Sequence, residues 1–255
     1  GKPFDCRVLG VVLQFPYLGE RIGVPARAGY RKLDYDATLD TQGVPVVALA
    51  GTCMEAGKTA AACAIVSRMR HRGMTVDVFK ATGVSLRRDI LAMEDAGARN
   101  SMIFTDLGII TTTRKVGPAL TRVMLTELAA KKPDVIVYEL GDGILGTYGV
   151  DAILDCEDIR KAQATGIVLS ANDPVAAWGG VKLLRERFGV EPCVVTGPST
   201  DNAVGVEIIE QQMKVPAFNA MTSGAELGDC VIKAIGLDQK FPLPAAAGTP
   251  KAANG

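Results

Sequence analysis

The stretch GTCMEAGKT, residues 51–59, closes on a glycine, a lysine and a threonine in succession, Gly57-Lys58-Thr59. Residues of these types at this spacing suit the binding of a polyphosphate. Gly51 and Gly57 let the backbone approach phosphate oxygens that a side chain would block. The amides of Glu55, Ala56, Gly57, Lys58 and Thr59 can point inward as an anion nest, and a helix starting here adds a dipole contribution of roughly 0.3–2 kcal/mol. Lys58 would neutralise the β- and γ-phosphates, and the Thr59 hydroxyl would reach Mg²⁺. The common form of such a loop has four residues between its glycines; here five separate Gly51 from Gly57.

A second constellation lies in YELGDGILGTYG, residues 138–149. Glu139 ends an apolar run, the place for an acid that coordinates a metal or orients water. Gly141, Gly143 and Gly146 permit close approach of backbone to ligand, and Asp142 is a turn residue or a second acid. A third lies in FKATGVSLRRD, residues 79–89, where Thr82 and Ser85 offer donors to an anionic group. There Arg87 and Arg88 suit a carboxylate or phosphate, or a solvated helix start. In LSANDPVAAWGG, residues 169–180, Asn172 and Asp173 either cap a helix or face the ligand.

These residues need a scaffold that brings loop ends together, and the pattern supplies one. VPVVALA, TVDVF, VIVYEL, TGIVLS, EPCVVTG and VPAFNA are short apolar runs between turn residues, which suits buried strands. Between them lie helical periods. Ala62, Ile65, Val66 and Met69 form one stripe, and Ala177, Val181, Leu184 and Phe188 another. Further helices are expected in RRDILAMEDAGA, VGPALTRVMLTELAAKKPD, VGVEIIEQQM and GAELGDCVIKAIG. Strands alternating with helices predict an α/β fold: a mostly parallel, Rossmann-like sheet covered by helices on both faces. Ligands of such sheets bind beyond the carboxyl ends of the strands, where the loops above lie. The expected organisation is an N-terminal β or irregular appendage over residues 1–44, an α/β domain over 45–238 and a disordered tail over 239–255. The appendage could be the remnant of a larger N-terminal domain. The chain starts with Gly, which suggests processing or excision from a longer protein.

Composition narrows the function. Twenty-eight basic residues balance 28 acidic ones, so charge gives no reason to expect nucleic acid or an anionic membrane as partner. No apolar run reaches the roughly 18–20 residues of a membrane helix, and the first residues lack a signal-peptide pattern. Six scattered cysteines without a CxxC, beside the single His71, argue against zinc and for idle thiols in a cytoplasmic protein. Cys53, near a helix start, sits where a thiol is more acidic and could be reactive. His71 is read as a surface residue at a helix end.

GTCMEAGKT resembles the phosphate loop of dethiobiotin synthetase and its relatives, G-T-x-x-x-x-G-K-T, which includes Thr52. VFKATGVS and VIVYELGDGILG resemble two further segments of that family. FKATG and TSGAELGDCVIKAIG are also similar to P-loop proteins of the D-glutamate N-acetyltransferase type. The resemblance spans roughly residues 45–236 and implies a P-loop enzyme. By it, Lys80 would reach the γ-phosphate and substrate. Asp89 would bind Mg²⁺ with Thr59 and Glu139, and Glu55 would touch Mg²⁺ or substrate. The loop carrying Thr196 and Gly197 would hold the base, although that family often has an asparagine there. The expected activity is ATP- and Mg²⁺-dependent activation of a small carboxylate, carbamate or amino acid by a cytoplasmic homodimer, a ligase. Lys58, Lys80 and Glu139 would be its catalytic groups, with Thr82, Ser85, Arg88, Gly141 and Gly143 at the substrate. One alternative is an N-acyltransferase whose loop holds CoA or nucleotide phosphates. Another is a regulatory ATPase, but that class carries a second lysine where this chain has Cys53.

Overall fold

The computed structural model describes residues 5–15, 19, 21–26, 29 and 31–243. Among its described residues, the N-terminal segment carries a short antiparallel hairpin, β1 (Leu13–Gln14) with β2 (Val24–Pro25). The rest alternates strand and helix. In order come β3 (Val46–Gly51), α1 (Lys58–His71), β4 (Val76–Lys80), α2 (Arg87–Asp95), β5 (Asn100–Ile103) and α3 (Gly117–Ala129). They are followed by β6 (Val135–Glu139), α4 (Val150–Asp155), α5 (Glu157–Ala162), β7 (Ile167–Ser170), α6 (Pro174–Phe188) and β8 (Val194–Thr196). The series ends with α7 (Ala203–Ile208) and α8 (Gly224–Ala234).

Six strands form one sheet in the order β5-β4-β6-β3-β7-β8, parallel throughout. The expected α/β architecture is therefore the observed one. The strands are buried on both faces, and side chains alternate between two cores as the period of two requires. Val46, Ala48 and Ala50 of β3 face the core shared with α3, α4 and α6; Val47 and Leu49 face the core shared with α1 and α8. The helical stripes read from the sequence fall on these cores. Ile65, Val66 and Met69 enter the second; Val181, Leu184 and Phe188 enter the first. Phe79 and Tyr138, on adjacent strands, stack face to face with ring centroids 4.6 Å apart.

Several elements differ from the sequence reading. β5 is half polar (NSMI) and gives little alternation to detect, and α4 and α5 are single short helices in a polar stretch. The segment VPAFNA pairs with β8 only at one parallel bridge, Val195 with Ala217, because a proline removes a ladder donor at residue 216. The helix expected over VGVEIIEQQM is α7 followed by a π-helical turn, Ile209–Met213. At the C-terminal end, Phe241 packs on the second core and Lys240 bonds to Asp134 at 3.0 Å. The remainder of the expected tail, 244–255, lies outside the described residues.

Chain order makes a crevice at β3. The chain leaves β3 toward β4 on one side of the sheet and returns to β7 on the other. The loops after β3, β4, β6 and β7 therefore open at the same sheet edge, as expected at a topological switch point.

Candidate functional site

The phosphate loop runs between β3 and α1, and its shape rests on residues without side chains. Gly57 stands at φ +91°, a left-handed conformation, immediately before the first residue of α1. Glu55 takes φ +58°, unusual for a residue with a side chain. The early glycine has a steric reason. A Cβ at Gly51 would lie 2.7 Å from Lys58 Nζ, so the bare backbone makes room for the lysine to curl back over its own loop. There Lys58 Nζ donates to the Cys53 carbonyl at 2.8 Å. Burial pushes the Lys58 ammonium below the usual lysine range, with the nearby Glu139 opposing the shift.

Two neighbouring loops press on this one, backbone against backbone. A Cβ at Gly143 would come 2.7 Å from Thr52 O, and one at Gly197, which has φ +94°, would come 2.3 Å from Ala56 O. The Thr52 amide donates to Ser170 O at 3.0 Å and Ile144 N donates to Gly51 O at 2.9 Å. The loop is thus clamped from both sides of β3.

The acids and lysines converge in front of it. Glu139, the last residue of β6, is buried and accepts the Thr59 hydroxyl at 2.9 Å. Burial holds its carboxyl above the usual range, against the pull of Lys80 and the Thr59 hydrogen bond. Lys80, the last residue of β4, is in register with Glu139 and makes an ion pair with Asp89 in the first turn of α2. Lys58, Thr59, Lys80, Asp89 and Glu139 line one cavity of about 300 Å³, together with Glu55, Arg88, Gly141 and Asp142. Its apolar lining comes from Met54, Val84, Leu86 and Tyr148.

The other residues singled out in the sequence have different places. Thr82 is fully buried, and its hydroxyl donates to Gly141 O at 2.9 Å, so it joins two loops instead of facing the cavity. Ser85 is half-buried beside the cavity, its amide on Ile110 O, and does not line it. Gly143 lies beneath the phosphate loop and not on the cavity wall. Thr196 is fully buried beside Ser170, and neither hydroxyl has a hydrogen-bond partner. Asn172 and Asp173 divide the two roles weighed for them: Asp173 caps α6 by accepting from Ala176 N at 2.8 Å, and Asn172 donates to the Cys53 thiol at 3.2 Å. Asp142 takes φ +77° and folds its carboxylate over Gly146, a turn residue that also lines the cavity. Arg88 is almost fully exposed, and His71 is exposed at the end of α1.

Sequence reasoning missed the apolar lining and its brace. Thr112 accepts from Gly83 N and donates to Tyr148 O, both at 2.8 Å, tying the loop after β4 to the loop after β6. Nothing in TTTRK marks that threonine out, because its partners come from two distant segments.

Among the described residues, no group of three or more His, Cys, Asp or Glu side chains could hold a metal alone. The donors present are oxygens: the Thr59 hydroxyl and the Glu139 and Asp89 carboxylates. That set fits Mg²⁺ arriving with phosphate oxygens and water, because Mg²⁺ is ordinarily held by one or two carboxylates plus its phosphates. It does not fit a dedicated protein cage.

No protein-family model matches this chain. No curated protein matches it either. Solved structures do. A DUF1611-family protein from Anabaena variabilis superposes with a TM-score of 0.57 at 15% identity, over 81% of this chain and 63% of its own. The signal recognition particle receptor FtsY from Elizabethkingia anophelis, solved with GDP, gives 0.50 at 15% identity over 76% of this chain and 65% of its own. The hydrogenase maturation factor HypB from Archaeoglobus fulgidus gives 0.50 at 13% identity over 72% and 86%. Together with the loop, the parallel sheet and its crevice, these likenesses establish that the chain has a P-loop NTPase fold.

Proposed function

We propose that the protein is a Mg²⁺- and nucleoside-triphosphate-dependent enzyme that activates a small carboxylate, carbamate or amino acid by phosphorylation. The observation that carries this reading is the convergence of Lys58, Lys80, Asp89 and Glu139 on one cavity beside the phosphate loop. Phosphoryl transfer asks little covalent chemistry of a protein; it asks for positioning and for positive charge where negative charge gathers. The loop amides and Lys58 would hold the terminal phosphates. Lys80 would reach the γ-phosphate and hold the acceptor anion in line with it. Thr59, Glu139 and Asp89 would hold Mg²⁺, which when bound neutralises phosphate charge. The deeply buried Glu139 fixes the Thr59 hydroxyl. GDP in the FtsY structure makes guanine as admissible a base as adenine.

A second reading, acyl transfer to an amino acid with CoA phosphates on the loop, is favoured by one observation. The apolar lining contributed by Met54, Val84, Leu86 and Tyr148 suits an acyl or pantetheine arm.

Isothermal calorimetry with ATP, GTP and acetyl-CoA, each with and without Mg²⁺, separates the two. The first reading expects Mg²⁺-dependent binding of a triphosphate, then release of diphosphate nucleotide and phosphate with a carboxylic or amino acid. Tight acetyl-CoA binding without triphosphate binding supports the second and removes the first.

A further inference from the structure

We infer that Asp89 is also the positioning residue of Lys80, holding its ammonium until a metal-bearing triphosphate engages the carboxylate and releases it. This rests on the phosphoryl-transfer reading above.

Lys80 and Asp89 are nearly out of solvent, their side chains 6% and 13% exposed. Asp89 makes the direct ion pair with Lys80. Glu139 also attracts Lys80, but it accepts the Thr59 hydroxyl and, on the reading above, would be engaged by the same cation. The remaining cation near Asp89 is Arg88, whose Nε stands 3.6 Å away on a side chain that is 82% exposed. A buried charge that loses its partner costs several kcal/mol. A divalent cation that takes Asp89 therefore leaves Lys80 needing a new anion, and the cavity in front of it is where one would arrive.

The surroundings of Lys80 permit that change. A Cβ at Gly83, where φ is +113°, would lie 3.5 Å from Lys80 Cε, and one at Gly141 would lie 3.2 Å from it. Backbone without side chains thus borders the lysine stem on two sides, and Nζ has space to move from α2 toward the cavity. Lys58 differs: it is held on the Cys53 carbonyl within its own loop. The two lysines are therefore set for different events. Lys58 is placed for the nucleotide from the start, and Lys80 becomes available only after the metal-bearing nucleotide has bound. Binding is then ordered, with the acceptor anion second.

The test is a double-mutant cycle on triphosphate binding in EDTA, read by calorimetry with the preferred nucleotide. Asp89→Asn frees Lys80 in the absence of metal, so it is expected to tighten metal-free binding on the order of tenfold. It is also expected to lose the further gain that Mg²⁺ gives the unmutated protein. In a Lys80→Met background the same substitution should bring no tightening. Unchanged or weaker metal-free binding by Asp89→Asn would leave Asp89 a metal ligand only and overturn the exchange. Tightening that persists in Lys80→Met would assign it to removal of a negative charge and also overturn it. Failure of the unmutated protein to bind any Mg²⁺-triphosphate would remove the phosphoryl-transfer reading and this one with it. If Asp89→Asn does not fold, ¹³C-dimethyl-lysine NMR of the unmutated protein decides. The Lys80 signal, assigned with Lys80→Arg, should move on addition of Mg²⁺-triphosphate; a signal that stays overturns the exchange.

Discussion

The Thr59 hydroxyl donates to the Glu139 carboxylate at 2.9 Å, joining the first turn of α1 to the end of β6 across 80 residues of sequence. Both are candidate metal ligands, so the bond pre-assembles two of the oxygens at the place where a phosphate-bound cation would sit. The acid at its centre is costly to bury, and that cost is measurable.

Replacing it should stabilise the protein and disable it. Burial raises the Glu139 carboxyl above its ordinary value of 4.5. Below that value the carboxyl is protonated in both folded and unfolded chains and no penalty arises. As pH rises through it, the unfolded chain loses its proton first, and the folded state loses stability until the raised folded value is passed. Glu139→Gln escapes this loss. Its melting temperature relative to the unmutated protein should climb between pH 4 and pH 8, by about 2–4 °C for each kcal/mol recovered. Turnover should fall on the order of 10²-fold or more. Thermal unfolding across that pH range checks the first, and a phosphate-release assay the second.

Lys58→Met tests the phosphate loop. Burial lowers the Lys58 ammonium from its ordinary value, so the charged lysine costs stability in the empty protein. That cost is absent at pH above the ordinary lysine value, grows as pH falls from there toward the lowered one, and is constant below it. The variant is expected to melt no lower than the unmutated protein when empty. It should lose the nucleotide-induced stabilisation, which for the unmutated protein is about 2.7 kcal/mol at a ligand concentration 100 times Kd. A thermal-shift titration compares the two.

Gly197→Ala probes the clamp on the loop. The new methyl would fall 2.3 Å from Ala56 O, at a backbone φ of +94°. The expected cost is about 1–3 kcal/mol of stability, together with weaker nucleotide binding, since the loop must shift to admit the methyl. Denaturant unfolding and calorimetry measure each.

An ion pair far from the cavity provides a contrast. Asp229 on α8 accepts from Arg68 Nε and Nη2 at 2.8 and 2.6 Å and from Arg72 Nη1 at 3.0 Å. The hydrogen bonds from Arg68 lead in holding its carboxyl below the ordinary value of 3.8. The stability it brings is present above that value and disappears as pH falls through the depressed folded one. Asp229→Asn should cost about 1 kcal/mol at neutral pH, modest because the pair is partly solvated, and nucleotide affinity should be unchanged. The cost should shrink as pH falls below 3.8, which urea titrations at pH 7 and pH 3 would reveal.

What the sequence disclosed follows from how local each signal is. Apolar runs such as VVALA and VIVYE are buried on both sheet faces and announce themselves by composition. GKT sits at a strand–helix junction and reads as a phosphate cradle because each residue acts within its own loop. The misreadings are of residues whose role depends on distant partners. Thr82 looks like a ligand donor until Gly141, after another strand, takes its hydroxyl. Thr112 carries no local signal, yet it braces two loops. β5 was missed because it is an edge strand with polar residues at one end. Gly197, where an asparagine was the family expectation, makes physical sense only once Ala56 O is seen beneath it.

The three glycines at 51, 143 and 197 also bear on how this protein could be redesigned. Where loops meet through side chains, a specificity can be retuned one substitution at a time, each change absorbed by a rotamer. Gly143 and Gly197 meet their neighbours main chain to main chain, and Gly51 leaves room for the Lys58 side chain. A new ligand preference at this crevice would have to come from exchanging whole loops, or from Val84 and Leu86, which line the cavity from outside the phosphate loop and are exposed.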